Sequence, residues 1–234
     1  MKYVSYSLWG NNPIYCIGAI KNMNQIKEIY PDWQMIIYYD NTVPEQYIQE
    51  LKDGGVICVD VTGESYGMFW RFFTADLPDC EYVIFRDCDS RLSIREKAAV
   101  DEWILSKKSI HVMRDHPAHR IPYGNDTLGI LGGMWGIKGN VIPLKQSILR
   151  FSKDKKLDYG IDQTFLKNIY NIFNNDMCVH DEFFSVLITT VDFDLAAFYD
   201  KQRVGGIILM NDNGIFGKRA AGAAVRKRLQ FCRR

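Results

Sequence analysis

The chain predicts an α/β fold, one domain built on a largely parallel sheet with helices on both faces. Three observations carry that prediction. Short runs rich in Val, Ile, Tyr and Phe alternate with longer amphipathic stretches along most of the sequence. The strand-like runs, such as WQMIIYY at 33–39 and YVIF at 82–85, are apolar almost throughout, as strands covered from both sides must be. A length of 234 residues with 47% apolar content can bury one sizeable core.

The elements follow in order. Residues 2–8 read as a first strand. Gly10-Asn11-Asn12-Pro13 is a turn, and Pro13 suits the first position of a helix running to about residue 29, ahead of Pro31. Residues 33–39 form a second strand. Pro44 opens a second helix and Gly54-Gly55 closes it. Residues 56–61 are a third strand, and 65–75 a helix that Leu77-Pro78 ends. The strand 82–85 follows. Ser93-Ile94-Arg95-Glu96 has capping-box spacing and starts a helix to about Ser106, with Ala99, Val100, Trp103 and Ile104 as its apolar face. Residues 110–113 are a strand, and 115–132 a long polar loop of the kind that often carries function. Residues 133–137 and 177–179 are short strands, and 162–173 is a helix. No internal repeat or linker interrupts the pattern.

Composition narrows the possible classes. No run approaches the ~20 apolar residues that span a bilayer, and MKYVSYSLWGNN turns polar too soon for a signal peptide. A cytoplasmic protein is expected. The six cysteines form no C-x-x-C pair, so a zinc ribbon is not indicated and reduced thiols are expected. The net charge of +1 conceals an asymmetry. Residues 218–234 carry seven Lys or Arg and no acid, while 1–217 hold 22 bases against 28 acids. A division into a body, 1–217, and a basic tail, 218–234, follows. The tail suits a diphosphate or anionic lipid, or is a solvated helix end. No nucleic-acid partner is expected.

The most informative stretch is EYVIFRDCDSR at 81–91. Asp87 and Asp89 leave the end of an apolar strand, and residues two apart in an extended chain face one side. Two hard carboxylates at the carboxyl end of a strand suit Mg²⁺ or Mn²⁺ that also touches a phosphate. A polar turn after a strand would have the same composition. Asp115 and His116, at a strand end, are candidate substrate contacts. Gly132-Gly133 would let backbone approach a ligand closely, or serve a turn. Asp162 opens a helix, where it could cap the first turn, accept hydrogen bonds from hydroxyls of a ligand, or both. Gln163 is a neutral partner for the same ligand. His111, His116 and His119 do not have zinc-ligand spacing, and His111 reads as structural.

As an ordered series these segments resemble a GT-A-type glycosyltransferase, most similar to the glycogenin and bacterial lipopolysaccharide galactosyltransferase group. YGMFWRFFTADLPDCEYVIFRDCD at 66–89 resembles the block in which an Arg-bearing helix and a Leu-Pro turn lead to Asp-x-Asp. Gly132-Gly133-Met134 and Asp162-Gln163-Thr164-Phe165-Leu166 resemble the two blocks that follow. Arg114–Pro117 is more similar to capsule-type or viral surface-glycan transferases. The resemblance covers about residues 1–185, and the family's closing block with Gly and Lys is replaced by HDEFF.

The resemblance implies a metal-dependent, retaining transfer of a sugar from a nucleotide-diphosphate donor, UDP-sugar favoured, to a glycan or lipid-linked acceptor. It implies Mn²⁺ or Mg²⁺ held by Asp87, Asp89 and His180, and Arg71 on donor phosphate or sugar hydroxyls; a surface salt bridge is the plain alternative for Arg71. It places Tyr6, Ser7 and Leu8 beside the nucleobase, with Asp60 and Tyr66 finishing that pocket. Two other functions fit the residues. One is a phosphatase or phosphotransferase with Asp87 as nucleophile, although three predicted strands precede the motif and Arg91 occupies the position where Thr or Val is usual. The other is a non-catalytic glycan- or nucleotide-binding domain.

Overall fold

The computed structural model describes residues 1–114 and 129–181. Seven strands form one sheet in the order β3-β2-β1-β4-β6-β5-β7. They are β1 (Lys2–Leu8), β2 (Gln34–Tyr39), β3 (Ile57–Asp60), β4 (Tyr82–Phe85), β5 (Ile110–Arg114), β6 (Trp135–Lys138) and β7 (Met177–Asp181). Pairing is parallel except around β6, which runs against both β4 and β5. The helices are α1 (Pro13–Ile29), α2 (Glu45–Asp53), α3 (Ile94–Ser106), α4 (Leu144–Ser152) and α5 (Ile161–Phe173), with a 3₁₀ segment at Gly67–Asp76.

The helix starts follow from local chemistry. Asn12 caps α1 by accepting the Ile14 N–H at 3.0 Å, with Pro13 behind it where a missing N–H is harmless. Gly55 takes the left-handed φ of +88° that turns the chain out of α2. Ser93 Oγ accepts the Glu96 N–H at 3.2 Å and so caps α3. The capping box is only half formed, because the Glu96 carboxylate instead receives the Arg86 Nε–H and the Tyr30 hydroxyl.

Two cores cover the two faces. Val4, Tyr6, Leu8, Ile37 and Ile84 pack with α1, α2 and α3. Tyr3, Ile36, Val83, Phe85, Val112 and Trp135 pack with the 3₁₀ segment, α4 and α5. Burial on both sides explains the near-continuous apolar strands.

Two elements differ from expectation. The helix expected at 65–75 is a 3₁₀ segment, buried along most of its length. Three residues per turn put Met68, Arg71 and Thr74 on one side, and Thr74 there meets Ser5 and Tyr38. Helix α4 was not anticipated. Pro143 offers no side-chain cap, so Asp76 supplies one from the end of the 3₁₀ segment, accepting the Leu144 and Lys145 N–H groups at 2.8 and 2.7 Å.

The five cysteines among the described residues are unpaired, and Cys232 lies outside them. Among the described residues no helix is long and apolar enough to cross a membrane. The basic tail also lies outside them.

Candidate active site

The sheet order reverses between β1 and β4, because β2 and β3 extend to one side and β4 begins the other. The crevice at the carboxyl ends of these two strands is where open α/β sheets bind ligands. Asp87 and Asp89 sit there, just beyond β4. Antiparallel β6 brings a second segment to the same place. Trp135 opposes Phe85, so Gly133, two residues before it, reaches Asp87.

Arg71 joins the pieces. One guanidinium nitrogen donates to Asp87 Oδ1 and to the Arg86 carbonyl, the latter at 3.2 Å, and the other donates to Asp162 Oδ2 at 3.2 Å. Arg71 is 5% exposed and Asp162 2%. The pairing is therefore a buried one, not the surface salt bridge that was the plain alternative. The backbone of Arg71 is fixed as well. Its N–H donates to Ser7 Oγ at 2.9 Å, and its carbonyl accepts from Ser5 Oγ at 2.8 Å. A Cβ on Gly132 would overlap Asp162 and Arg71, and one on Gly133 would overlap the Asp87 carboxylate. The two glycines thus let the backbone pack closely against the carboxylates.

The electrostatics follow from crowding. Burial raises the Asp89 carboxyl above its ordinary range, and the negative charge of Asp87 adds to it. Burial also raises Asp162, against the pull of Arg71. Asp162 Oδ1 further accepts the Gln163 N–H at 3.0 Å, so this residue both caps the first turn of α5 and faces the site. The N-cap itself is Gly160.

Behind Asp87 lies a buried anchor. Arg86 donates to the Phe85 and Trp135 carbonyls at 2.7 and 3.1 Å and pairs with Glu96 on α3. Its own N–H donates to the Ser5 carbonyl at 3.1 Å. Arg86 thereby ties β1, β4, β6 and α3 at the base of the Asp-x-Asp loop.

Several expected residues lie elsewhere. Tyr6 is fully enclosed in the core beneath α1 and cannot meet a nucleobase, and Leu8 shares that face. Ser7, on the opposite face, is occupied by Arg71. Asp60 is exposed at the end of β3, where it accepts the Thr62 N–H at 2.9 Å and closes a turn that holds its carboxyl below the usual range. Tyr66 is half-buried at the start of the 3₁₀ segment. His180 does not join the aspartates. Its Nδ1 meets His111 Nε2 at 2.9 Å and its Nε2 meets Glu102 at 2.9 Å, inside the fold. Among the described residues no group of three His, Cys, Asp or Glu side chains is placed to hold a metal ion. Asp115 and His116 lie outside the described residues.

Trp9 is a residue that sequence reasoning passed over. It follows β1 directly, is 43% exposed, and stands edge-on to Trp70 at 6.0 Å over Gly67. The Gly10 N–H behind it donates to Thr42 Oγ1 at 2.6 Å, which fixes the turn. A large aromatic immediately after a strand that ends in the crevice was the available signal.

No protein-family model matches the chain, and no curated protein matches it in sequence. Solved structures do share its shape. S. aureus TarS 1-349 matches with a TM-score of 0.51 at 13% identity, over 76% of this chain and 58% of that one. Glucosyl-3-phosphoglycerate synthase from Mycobacterium tuberculosis, in complex with phosphoglyceric acid, matches with 0.50 at 14% identity, over 77% and 69%. The galactosyltransferase LgtC, in complex with donor and acceptor sugar analogs, matches with 0.48 at 17% identity, over 76% and 73%. The chain shares its architecture, a seven-stranded mixed sheet in one α/β domain, with these solved structures.

Proposed function

We propose that this chain is a glycosyltransferase that moves a sugar from a nucleotide-diphosphate donor to a glycan or lipid-linked acceptor. The observation that carries this reading is the convergence of Asp87, Asp162, Arg71 and Gly132-Gly133 at the switch point of a GT-A fold.

Asp87 and Asp89 fit a divalent cation. Asp87 is exposed to the crevice, Asp89 is half-buried beside it, and Gly133 leaves open the space that a side chain would take from the Asp87 carboxylate. Mg²⁺ or Mn²⁺ is commonly held by one or two carboxylates with phosphate and water completing the shell, so the absence of His180 from the site is no obstacle. Such an ion supplies charge neutralisation for the departing diphosphate. The chain's own residues do the rest. Trp9 offers a face to the nucleobase, with UDP favoured by family resemblance. Arg71 holds Asp87 and Asp162 in fixed orientation, and Gly132-Gly133 let both carboxylates sit directly against backbone. Asp162 is pinned by Arg71 and by the Gln163 N–H. That leaves it poorly placed to take a proton from an acceptor, which supports transfer with retention of configuration.

The transferase unit is assigned to residues 1–217. The basic segment 218–234 is assigned a reversible hold on anionic lipid, testable by vesicle sedimentation of the full chain against a deletion. The deciding experiment for the activity is turnover of UDP-sugars with and without Mn²⁺. Release of UDP with sugar transferred to saccharide or water supports the reading. Release of inorganic phosphate from simple phosphoesters, with no UDP-sugar turnover, would support the phosphatase alternative instead.

A further inference from the structure

Two large aromatic side chains stand exposed near the carboxylates and have no part in the chemistry assigned above. Tyr15 lies in the first turn of α1 and is 40% exposed, and Tyr159 lies between α4 and α5 and is 91% exposed. Neither position is accidental to the site. Helix α1 packs directly on the Asp-x-Asp loop. Gly18 is in contact with the Cys88 carbonyl so closely that a Cβ would overlap it, and Asn22 Nδ2 donates to the same oxygen at 3.4 Å. Tyr159 immediately precedes Gly160, whose left-handed φ of +84° turns the chain into α5 and whose N–H meets Met68 Sδ at 3.4 Å. Asp162, two residues further on, is the partner of Arg71. The two tyrosines therefore stand on elements that grip opposite parts of one carboxylate cluster. The Tyr15 hydroxyl is raised by burial and then by Asp89, Tyr159 and Asp87, so all three lie within its electrostatic reach.

We propose that Tyr15 and Tyr159 form an acceptor platform that takes an uncharged sugar ring in front of the Asp87–Asp89 pair. This rests on the glycosyltransferase reading and specifies its acceptor. A pyranose has a C–H face that stacks on an aromatic ring and an edge of hydroxyls that seeks polar partners. Tyrosine meets both needs, with an apolar body, a polar tip and few rotamers to freeze. The restriction to uncharged rings follows from charge. Among the described residues, the basic side chains that act on Asp87, Asp89 and Asp162 are Arg71 and Arg91, and Arg91 spends its guanidinium on the Cys88 and Ser90 carbonyls at 2.9 and 2.5 Å. A divalent cation and a donor diphosphate cancel one another, so the excess of carboxylate among the described residues persists in the loaded site. An acidic acceptor would enter against it.

The test uses the full chain with Mn²⁺ and UDP, applied to immobilised neutral oligosaccharides (galactosides, glucosides and N-acetylhexosaminides) and to sialylated and uronic-acid oligosaccharides. UDP affinity is measured in parallel by calorimetry, and folding by circular dichroism. Neutral glycans are expected to be retained and acidic ones not. Tyr15→Ala and Tyr159→Ala are each expected to lose ~10-fold in glycan affinity, with UDP affinity within about two-fold of the parent. Four results would overturn the platform: retention of acidic glycans alone, no glycan retained by a protein that binds UDP, parental glycan binding in both variants, or weakened UDP binding in them. Failure of the parent protein to bind UDP or GDP at all would instead remove the glycosyltransferase reading on which the platform rests.

Discussion

Arg71 and Asp162 are 91 residues apart in the chain and 3.2 Å apart in the fold, and both are buried. The pair links the 3₁₀ segment to α5 across the crevice, and Asp87 shares the same guanidinium. Breaking a buried pair from one side leaves a charge without compensation, at a cost of about 3–5 kcal/mol. Arg71→Met is expected to destabilise by that order, and Arg71→Met combined with Asp162→Asn to recover part of the loss. Chemical denaturation of the single and double variants measures this. Strictly additive losses would refute the coupling.

Asp87→Asn and Asp89→Asn are expected to fold normally and to lose ~10² or more in metal-dependent turnover. Asp87 is exposed and Asp89 half-buried, so neither substitution opens a cavity. Rates within a few-fold of the parent for both, at limiting Mn²⁺, would sink the metal assignment.

Donor binding should require the cation. Calorimetry with UDP and GDP in Mn²⁺ and in EDTA is expected to give affinity only with Mn²⁺, and Trp9→Ala to weaken it by ~10-fold. Equal affinity in EDTA counts against the proposed site. A nucleotide that binds Trp9→Ala as well as the parent counts against Trp9 as the base platform.

Gly133→Ala tests the cradle directly, because its methyl group would collide with the Asp87 carboxylate. A loss of about 1–3 kcal/mol in stability is expected, with turnover reduced by more than that loss of folded protein explains. Unchanged kinetics would show that Asp87 can move aside freely.

The buried His111–His180 pair predicts a pH dependence of stability. Burial holds both imidazoles below their ordinary pKa of 6.5, His111 well below it, and each ring depresses or is hydrogen-bonded to its neighbour. The unfolded chain accepts protons near that value while the folded protein resists them. Stability is therefore complete above about pH 6.5 and lost as pH falls, by at most about 1.4 kcal/mol per pH unit for each ring. Denaturation midpoints between pH 7.5 and 5.5 should fall, and His111→Phe should flatten the slope. A level profile in the parent would contradict this.

Much of this fold is legible in the chain because helix starts carry local signals. Pro13, Pro44 and Ser93 mark α1, α2 and α3 to within a residue. The Asp-x-Asp loop and the paired glycines could be read for the same reason, since their chemistry is local. The roles of Tyr6 and Ser7 could not. A strand covered on both faces has no alternation to say which side meets which layer, so one position is core and the next holds Arg71. The partners of His180, Glu102 and His111, come from α3 and β5, and no spacing announces them. Helix α4 was within reach, for Leu144, Ile148 and Phe151 recur at helical intervals after Pro143.

The hydroxyls of Ser5 and Ser7 give β1 a second significance. Both point to the face where a buried strand would otherwise carry Val or Ile, and both grip the backbone of Arg71, so the geometry of the carboxylate cluster is written partly in main-chain contacts. Side-chain substitution across the rest of the sheet can then proceed without disturbing the crevice, provided shape is kept.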